Sequence, residues 1–218
     1  MYLPPQFNSK NKSDATALMR AYPFASLISV DDAGLPFVTH LPLHLEERTA
    51  SGADPENWLL LGHVAKSNAH WRYLQARSQA VVTFMGPHAY LSPSVYPDLT
   101  RVPSWNYLAL HCTVQATLIE APREKEALLQ KLIAEHEPAY AAQWHALEAD
   151  YQQKMLSGIV AFELQVTAWQ CKLKLNQHRP ESYAAMQAQY ASGNDNERAL
   201  ALWMERLGIA PPANRRTS

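Results

Sequence analysis

The spacing of apolar and polar residues predicts a chain made mostly of strands. Short apolar runs bounded by turn residues predict strands at residues 24–30, 35–45, 58–62, 80–85, 89–91, 104–120 and 158–174. The turn at residues 31–34 joins the first two strands as a hairpin. Pro36 and Pro42 predict an edge or bulged position for the second strand, because proline cannot donate to a strand ladder. Gly86, Pro87 and His88 predict a turn between the strands at 80–85 and 89–91.

Helical spacing appears in four other segments of the chain. Ser13 and Asp14 precede a short helix at residues 15–21, and a second helix is predicted at residues 67–77. Residues 123–151 carry apolar residues at helical spacing, and Pro138 is expected to split them into two helices. The segment from 181 to 207 is also helical, with a break at 192–195.

Five strands share one helix in the first half of the chain, which favours a barrel over a doubly wound sheet. The predicted fold class is therefore mainly β with helices, or α+β. We expect a single domain over residues 1–218 that carries a helical insertion at about 122–156 and a helical tail at about 181–208.

The composition excludes a global positive field. The chain has 19 Lys and Arg residues against 20 Asp and Glu residues, for a net charge of −1, so any contact with DNA would have to be local. The first residues lack a basic start followed by an apolar segment, and no apolar run approaches the length of a membrane span. We expect a soluble, cytoplasmic protein that does not enter a membrane.

The junction after the strand at 58–62 is a candidate anion site. Backbone N–H groups at the start of a helix have no intrahelical partner and favour negative charge. Lys66, Ser67 and Asn68 add a cation, a hydroxyl and an amide, which are the donor types that bind a phosphate monoester, and His63 flanks them. The alternative is an ordinary turn in which Ser67 or Asn68 only caps the helix.

Four separated stretches combine groups that stack with groups that form hydrogen bonds: residues 62–71, 86–96, 102–111 and 172–179. Their aromatic, amide and cationic side chains include Trp105, Asn106, Lys174, Gln177 and Arg179. A flavin mononucleotide (FMN) needs cations for its phosphate, amides for its ring edge and cover for its ring faces. By residue type alone, another nucleotide, pyridoxal phosphate or a haem with an axial histidine is served nearly as well.

Metal binding and nucleophilic catalysis have little support. His40 and His44 lie four residues apart on a predicted strand and would face the same way, but no third ligand accompanies them at a diagnostic spacing. We therefore predict no metal site. No Ser-His-Asp or Cys-His arrangement has a recognisable spacing, so no catalytic residue is assigned.

Five ordered motifs resemble those of the PaiB family. They are Met1-Tyr2-x-Pro4-x-x-Phe7, Gly62-His63-x-Ala65-Lys66-x-Asn68, Phe84-x-Gly86-Pro87-x-x-Tyr90-x-Ser92-Pro93-Ser94-x-Tyr96, Val102-Pro103-x-Trp105-Asn106-Tyr107 with His111, and Lys174-Leu175-x-Gln177 with Arg179. The resemblance implies an FMN-binding split barrel that forms a homodimer with cofactor sites at the subunit interface. It also favours FMN as the cofactor, with haem as the alternative. Ala69 and Val95 depart from the family pattern, and Val95 removes a possible stacking face.

The resemblance and the residue types together predict the cofactor-binding residues His63, Lys66, Ser67, Asn68, Trp105, Asn106, Lys174, Gln177 and Arg179. Lys66 is expected at the phosphate, with a solvated surface lysine as the alternative. Trp105 and Asn106 are expected to form the wall and edge of the flavin site, unless Trp105 belongs to the core. Lys174, Gln177 and Arg179 are expected to reach across the dimer, although Arg179 has Glu181 as a competing partner.

Three functions remain open at this point. The resemblance implies a negative transcriptional regulator. The alternative is an FMN-dependent oxidoreductase, like a flavin reductase or a pyridoxamine-phosphate oxidase, that acts on an unknown small substrate. The third is a regulator that keeps the scaffold without the cofactor. The chain has no helix-turn-helix pattern and no basic arm, and the insertion or Asn214-Arg215-Arg216 would have to make any DNA contact.

Overall fold

The computed structural model describes residues 1–48, 58–98 and 100–209. Most of the segment between the predicted strands at 35–45 and 58–62 lies outside this part of the chain, as do the basic residues at 214–216. The strands are β1 (Asn8–Ser9), β2 (Phe24–Val30), β3 (Pro36–Pro42), β4 (His44–Glu47), β5 (Trp58–Ala65), β6 (Gln79–Leu91), β7 (Ser104–Ile119) and β8 (Ile159–Lys174). The helices are α1 (Lys12–Ala21), α2 (His70–Ala76), α3 (Pro122–His136), α4 (Tyr140–Ala146), α5 (Ala149–Ser157), α6 (Tyr183–Ala191) and α7 (Asp195–Arg206).

The strands form one eight-stranded sheet in the order β3-β2-β6-β7-β8-β5-β4, and β1 pairs with β8. β2 and β3 form the predicted antiparallel hairpin, with Ile28 opposite Val38. β3 ends the order of strands, so its prolines lie on an edge strand as predicted. His40 and His44 lie in separate strands, and their imidazoles contact different groups: Ser26 for His40 and Glu135 for His44.

The predicted turn at residues 86–88 is wrong, because β6 continues through it. Gly86 is needed there for close packing. A Cβ atom at this position would lie 2.7 Å from Leu18 Cδ1 and 2.9 Å from Leu108 Cβ. The absence of a side chain at Gly86 therefore lets β6 pass close to Leu18 and Leu108. The glycine serves packing here and does not form a turn.

The chain separates into two compact units. The first unit comprises Met1–Leu18, Met85–Leu110 and the described part of Gln170–Ser218. The second unit comprises Met19–Phe84 and His111–Trp169, again where described. Three strands, β6, β7 and β8, contribute residues to both units.

The second unit contains the helical insertion, which packs on the sheet. Leu128 and Leu132 of α3 are buried against Leu59 and Leu61 of β5. The insertion has three helices instead of the two predicted, because a second break follows Ala146 in addition to the one at Pro138. The apolar residues whose helical spacing predicted this helix form one face of α3, and the sheet buries that face. The same spacing therefore also determines how α3 packs.

The first unit contains the predicted helical tail. Asn194 caps α7 through a reciprocal capping box with Glu197. Met186 and Tyr190 of α6 and Met204 of α7 are fully buried, so the tail is part of the core of this unit. Within the described residues, no helix is both long enough and apolar enough to span a membrane.

Candidate functional site

The predicted phosphate junction is a tight turn between β5 and α2 in the second unit. The Lys66 backbone N–H donates to the Gly158 carbonyl at 2.8 Å, and the Asn68 N–H donates to the Ala65 carbonyl at 2.9 Å. Lys66 and Ser67 have exposed side chains. Gly62 lies in β5 before the turn, and its lack of a side chain leaves room for Leu43, because a Cβ atom there would lie 2.6 Å from Leu43 Cδ2. Backbone hydrogen bonds therefore fix the turn and leave the Lys66 side chain outside it.

The N-cap of α2 is Ala69, which makes no side-chain cap hydrogen bond, so the alternative interpretation of Ser67 or Asn68 as the N-cap is wrong. Asn68 instead makes hydrogen bonds in the turn just before the helix. Its Oδ1 accepts from the His70 backbone N–H at 2.9 Å, and its Nδ2 donates to Thr39 Oγ1 at 3.2 Å. His70 Nδ1 lies 2.7 Å from the same Thr39 oxygen. His70 is fully buried, and burial lowers its pKa to about 4. α2 begins at His70, three residues after the predicted start.

His63 is half-buried on β5. Its Nδ1 is buried and has no hydrogen-bond partner among the described residues. Burial also lowers the pKa of His63, because the charged imidazolium loses its hydration. Burial therefore favours the neutral form of the ring over a second positive charge near Lys66.

Three of the predicted residues meet around a cavity of about 290 Å³ in the first unit. They are Asn106, Lys174 and Arg179, and the cavity is also lined by residues that the sequence did not single out for binding: Arg101, Ser104 and Asn176. Arg101 comes from the loop before β7, and nothing in its local sequence distinguishes it from a solvated arginine. We call this site the first-unit cavity.

The cations of the first-unit cavity already have partners. Lys174 Nζ donates to Ser104 Oγ at 2.6 Å and to the Trp105 carbonyl at 2.7 Å. Arg101 pairs with Asp98 at 3.1 Å and with Glu181 at 3.6 Å. Burial, followed by the nearby charge of Lys172, lowers the pKa of Lys174. An anion near Lys174 would reverse this shift, because it stabilises the charged ammonium.

Two buried polar atoms at the first-unit cavity lack a partner among the described residues. Asn106 is fully buried; its Nδ2 donates to Tyr190 Oη at 3.0 Å and contacts Met186 Sδ at 3.1 Å. Its Oδ1 has no donor, and the Nε–H of Arg101 has no acceptor. A buried acceptor and a buried donor without partners are costly unless a ligand or water satisfies them.

Trp105 and Gln177 do not line the first-unit cavity. Successive side chains of a strand point to opposite faces, so Trp105 lies on the other face of β7 from Ser104 and Asn106. Trp105 is 53% exposed and packs edge-on against Tyr90 at 6.1 Å, so it is not a core residue. Gln177 accepts from the Leu175 N–H at 2.9 Å and donates to the Leu173 carbonyl at 2.5 Å. Its side chain therefore closes the turn after β8.

Residues 1–168 match the protein family described as "Putative FMN-binding domain". The chain is also 31% identical over 185 residues to Protease synthase and sporulation protein PAI 2 of Bacillus subtilis, and the match covers 84% of either chain. The chain belongs to the PaiB family. The predicted family and the FMN-binding class of the domain are thereby confirmed.

Two solved structures resemble this PaiB-family chain in fold. The FAD and Heme binding protein from Mycobacterium smegmatis superposes with a TM-score of 0.59 at 19% identity, over 78% of this chain and 74% of that one. The Flavocytochrome Anf3 from Azotobacter vinelandii gives a TM-score of 0.58 at 15% identity, over 78% of this chain and 71% of that one. The predicted α+β fold of the split-barrel class is confirmed.

Proposed function

We propose that this PaiB-family protein binds FMN with the phosphate and ribityl chain in the first-unit cavity. The observation that carries the proposal is the pair of buried orphan atoms, Asn106 Oδ1 and Arg101 Nε, at a cavity lined by three cations. A ribityl hydroxyl would donate to Asn106 Oδ1. The guanidinium and ammonium groups of Arg101, Lys174 and Arg179 would face the phosphate oxygens.

The charge and the size of the first-unit cavity both fit one end of FMN. Lys174 uses two of its three N–H donors, and Arg179 makes only a long 4.0 Å contact with Glu181, so both can donate to an anion. A volume of about 290 Å³ suits a phosphate and a short polar chain. Sites for whole drug-sized ligands run from about 300 to 1,000 Å³. The flavin ring would therefore extend beyond this cavity.

We further propose that a second copy of the chain covers the ring in a homodimer. Trp105 and Tyr90 form an aromatic surface on the first unit and are 53% and 46% exposed. Trp105 lies on the opposite face of β7 from Asn106, so the two side chains would contact different flavins. Exposed Trp and Tyr side chains are enriched at subunit interfaces. When bound, FMN would supply redox chemistry, and the residues named here would bind and orient it.

Titration with FMN tests this placement. Lys174→Gln and Arg179→Gln should each weaken FMN binding by about 1–3 kcal/mol, the scale for losing a charged hydrogen bond. Arg198→Gln is the matched control, since Arg198 pairs with Asp195 on the exposed side of α7. Unchanged affinity in both cavity variants would refute the placement. Sedimentation of Trp105→Ser tests the dimer, which should weaken.

The junction after β5 is the alternative place for the FMN phosphate. Its predicted binding residues are His63, Lys66, Ser67 and Asn68. Lys66→Ala should weaken FMN by about 1–3 kcal/mol if Lys66 binds the phosphate. An effect of Lys66→Ala combined with none for Lys174→Gln would move the phosphate to the second unit. Weaker binding in both variants would instead mean that both groups contact one FMN, as expected if Lys174 and Arg179 reach across the dimer.

We propose negative regulation of transcription in the cytoplasm as the physiological role, supported by membership of the PaiB family. With a net charge of −1, direct DNA binding would need a local contact. A salt-sensitive gel shift on promoter DNA tests this role. The alternative, an FMN-dependent oxidoreductase on a small substrate, predicts NAD(P)H oxidation by the FMN-loaded protein and no gel shift.

A further inference from the structure

The second unit contains another cavity, which the FMN proposal does not use. It has a volume of about 450 Å³ and lies where the helical insertion meets β8 and the turn after β5. Lys66, Arg123 and Lys125 supply three cations to its lining, against the single carboxylate of Glu126. We call this site the insertion cavity.

The three cations lack the partners that other charged residues of α3 have. Further along α3, Lys131 pairs with Glu46 at 2.9 Å, and Glu135 pairs with His44. In the described part of the chain, the side chains of Lys66, Arg123 and Lys125 make no ion pair and no hydrogen bond. Three like charges around one cavity repel one another, and a bound anion would remove this cost.

The position of two of these cations adds to the cost. Arg123 and Lys125 lie in the first turn of α3, where the helix dipole disfavours positive charge. Glu124 offsets part of this effect, but it does not line the insertion cavity. Cations that face a cavity at the unfavourable end of a helix are more consistent with ligand binding than with helix stabilisation.

The rest of the insertion cavity combines an apolar surface with three uncharged polar residues, Gln152, Gln153 and Ser157. Leu156 of α5 and Ile159 and Val160 of β8 are half-buried and form part of its wall. A site for a bare inorganic ion would not need this surface. None of the described residues that line the cavity is aromatic, so a flavin ring would lack the aromatic cover that the first unit offers.

We propose that the insertion cavity binds a small amphipathic organic anion. Its phosphate or carboxylate would contact Lys66, Arg123 and Lys125, and its apolar body would lie on Leu156, Ile159 and Val160. The volume of about 450 Å³ sets a small-molecule size for this ligand. The site is independent of the FMN proposal, except that Lys66 is the alternative phosphate residue of that proposal.

Calorimetric titration with hexyl phosphate, hexanoate, inorganic phosphate and 1-hexanol tests the site. We expect hexyl phosphate or hexanoate to bind at least about tenfold more tightly than inorganic phosphate, because the chain buries apolar surface. 1-Hexanol should bind more weakly than either amphipathic anion. Equal affinity for inorganic phosphate and hexyl phosphate would overturn the amphipathic class, as would equal affinity for 1-hexanol and hexyl phosphate.

Variants of the insertion locate the binding. Arg123→Gln and Lys125→Gln should each weaken hexyl phosphate about three- to tenfold. Leu156→Ala should weaken hexyl phosphate and leave inorganic phosphate unchanged. Lys154→Gln is the matched control, because Lys154 lies on the same α5 helix as Leu156 but does not line the cavity. Unchanged affinity in the Arg123→Gln, Lys125→Gln double variant would refute the site.

FMN titration of the same variants separates the two proposals. Arg123→Gln should bind FMN as the unsubstituted chain does, since Arg123 has no part in the proposed flavin site. If the insertion variants do not change hexyl phosphate binding while Lys174→Gln still weakens FMN binding, only the proposal of an anion site in the insertion cavity is refuted. If FMN binding is also lost in Arg123→Gln, the insertion cavity holds the FMN phosphate beside Lys66, and both the first-unit placement and the separate anion site are wrong.

Discussion

The two cavities of this protein handle positive charge in opposite ways. In the first-unit cavity, Lys174 and Arg101 are held by hydrogen bonds and carboxylates. In the insertion cavity, Lys66, Arg123 and Lys125 have no such partners among the described residues. The first arrangement is preorganised, so its ligand meets donors that are already fixed. The second has charges that only a ligand or solvent can satisfy. Stability should therefore respond to substitutions in the first cavity more than in the second.

The largest expected effect concerns His70, which is buried at the start of α2, four residues after Lys66 of the insertion cavity. His70 has a pKa of about 4 in the fold, against an unfolded value of about 6.5. Between these values the unfolded chain binds a proton that the folded chain does not. The associated stability is present above pH 6.5 and is lost as the pH falls towards 4, by up to about 3 kcal/mol. Urea unfolding across this pH range measures the loss.

His70→Asn should flatten the pH dependence of stability between pH 6.5 and 4. The exposed His145, replaced by Asn, is the matched control and should keep the full dependence. An equally steep loss in His70→Asn would show that other groups cause the acid sensitivity.

The next effect tests whether the first-unit cavity is prebuilt. Asn106→Leu removes the hydrogen bond to Tyr190 from a fully buried site, and we expect a loss of about 2 kcal/mol in the free energy of unfolding. A double-mutant cycle with Tyr190→Phe checks the cause, because the two effects should not add. Additive effects would mean that the bond contributes nothing.

A smaller loss of stability is expected when a cation of the first-unit cavity is removed. Lys174→Met should lower the free energy of unfolding by about 1–2 kcal/mol, because it leaves Ser104 and the Trp105 carbonyl without their donor. Thermal or urea unfolding in the absence of FMN measures this cost. A neutral result would show that the hydrogen bonds of Lys174 are exchanged for water at no cost.

The smallest effect is expected in the insertion cavity. Arg123→Gln should change the free energy of unfolding by less than about 0.5 kcal/mol, since Arg123 is exposed and makes no ion pair in the described chain. A slight gain in stability would agree with relief of repulsion at the start of α3. A loss as large as that of Lys174→Met would remove the difference between the two cavities.

Several parts of the candidate site could be predicted from the sequence. Lys174 and Arg179 were predicted as binding residues, and both line the same cavity as Asn106. The sequence also predicts that Trp105 and Asn106 lie on opposite faces of their strand, since adjacent residues of a strand face opposite sides. The role of Gln177 was not, because its amide could equally face a ligand or the backbone that it binds.

The remaining site residues depend on contacts between distant segments. Arg123 lies 57 positions after Lys66, and only the packing of α3 on the sheet brings both to one cavity. The same applies to Arg101, whose loop shows no local signal. Gly86 misled the prediction, because a glycine required for close packing looks the same in sequence as one required for a turn.

The sequence by itself determined the family, the alternation that makes the strands, the helical insertion and the helical tail. These follow from local spacing and from ordered motifs, which need no knowledge of distant contacts. Only the tertiary structure decided which cations have partners and which do not. Pairing depends on distances of a few ångströms between side chains far apart in the chain, and residue types alone do not fix those distances.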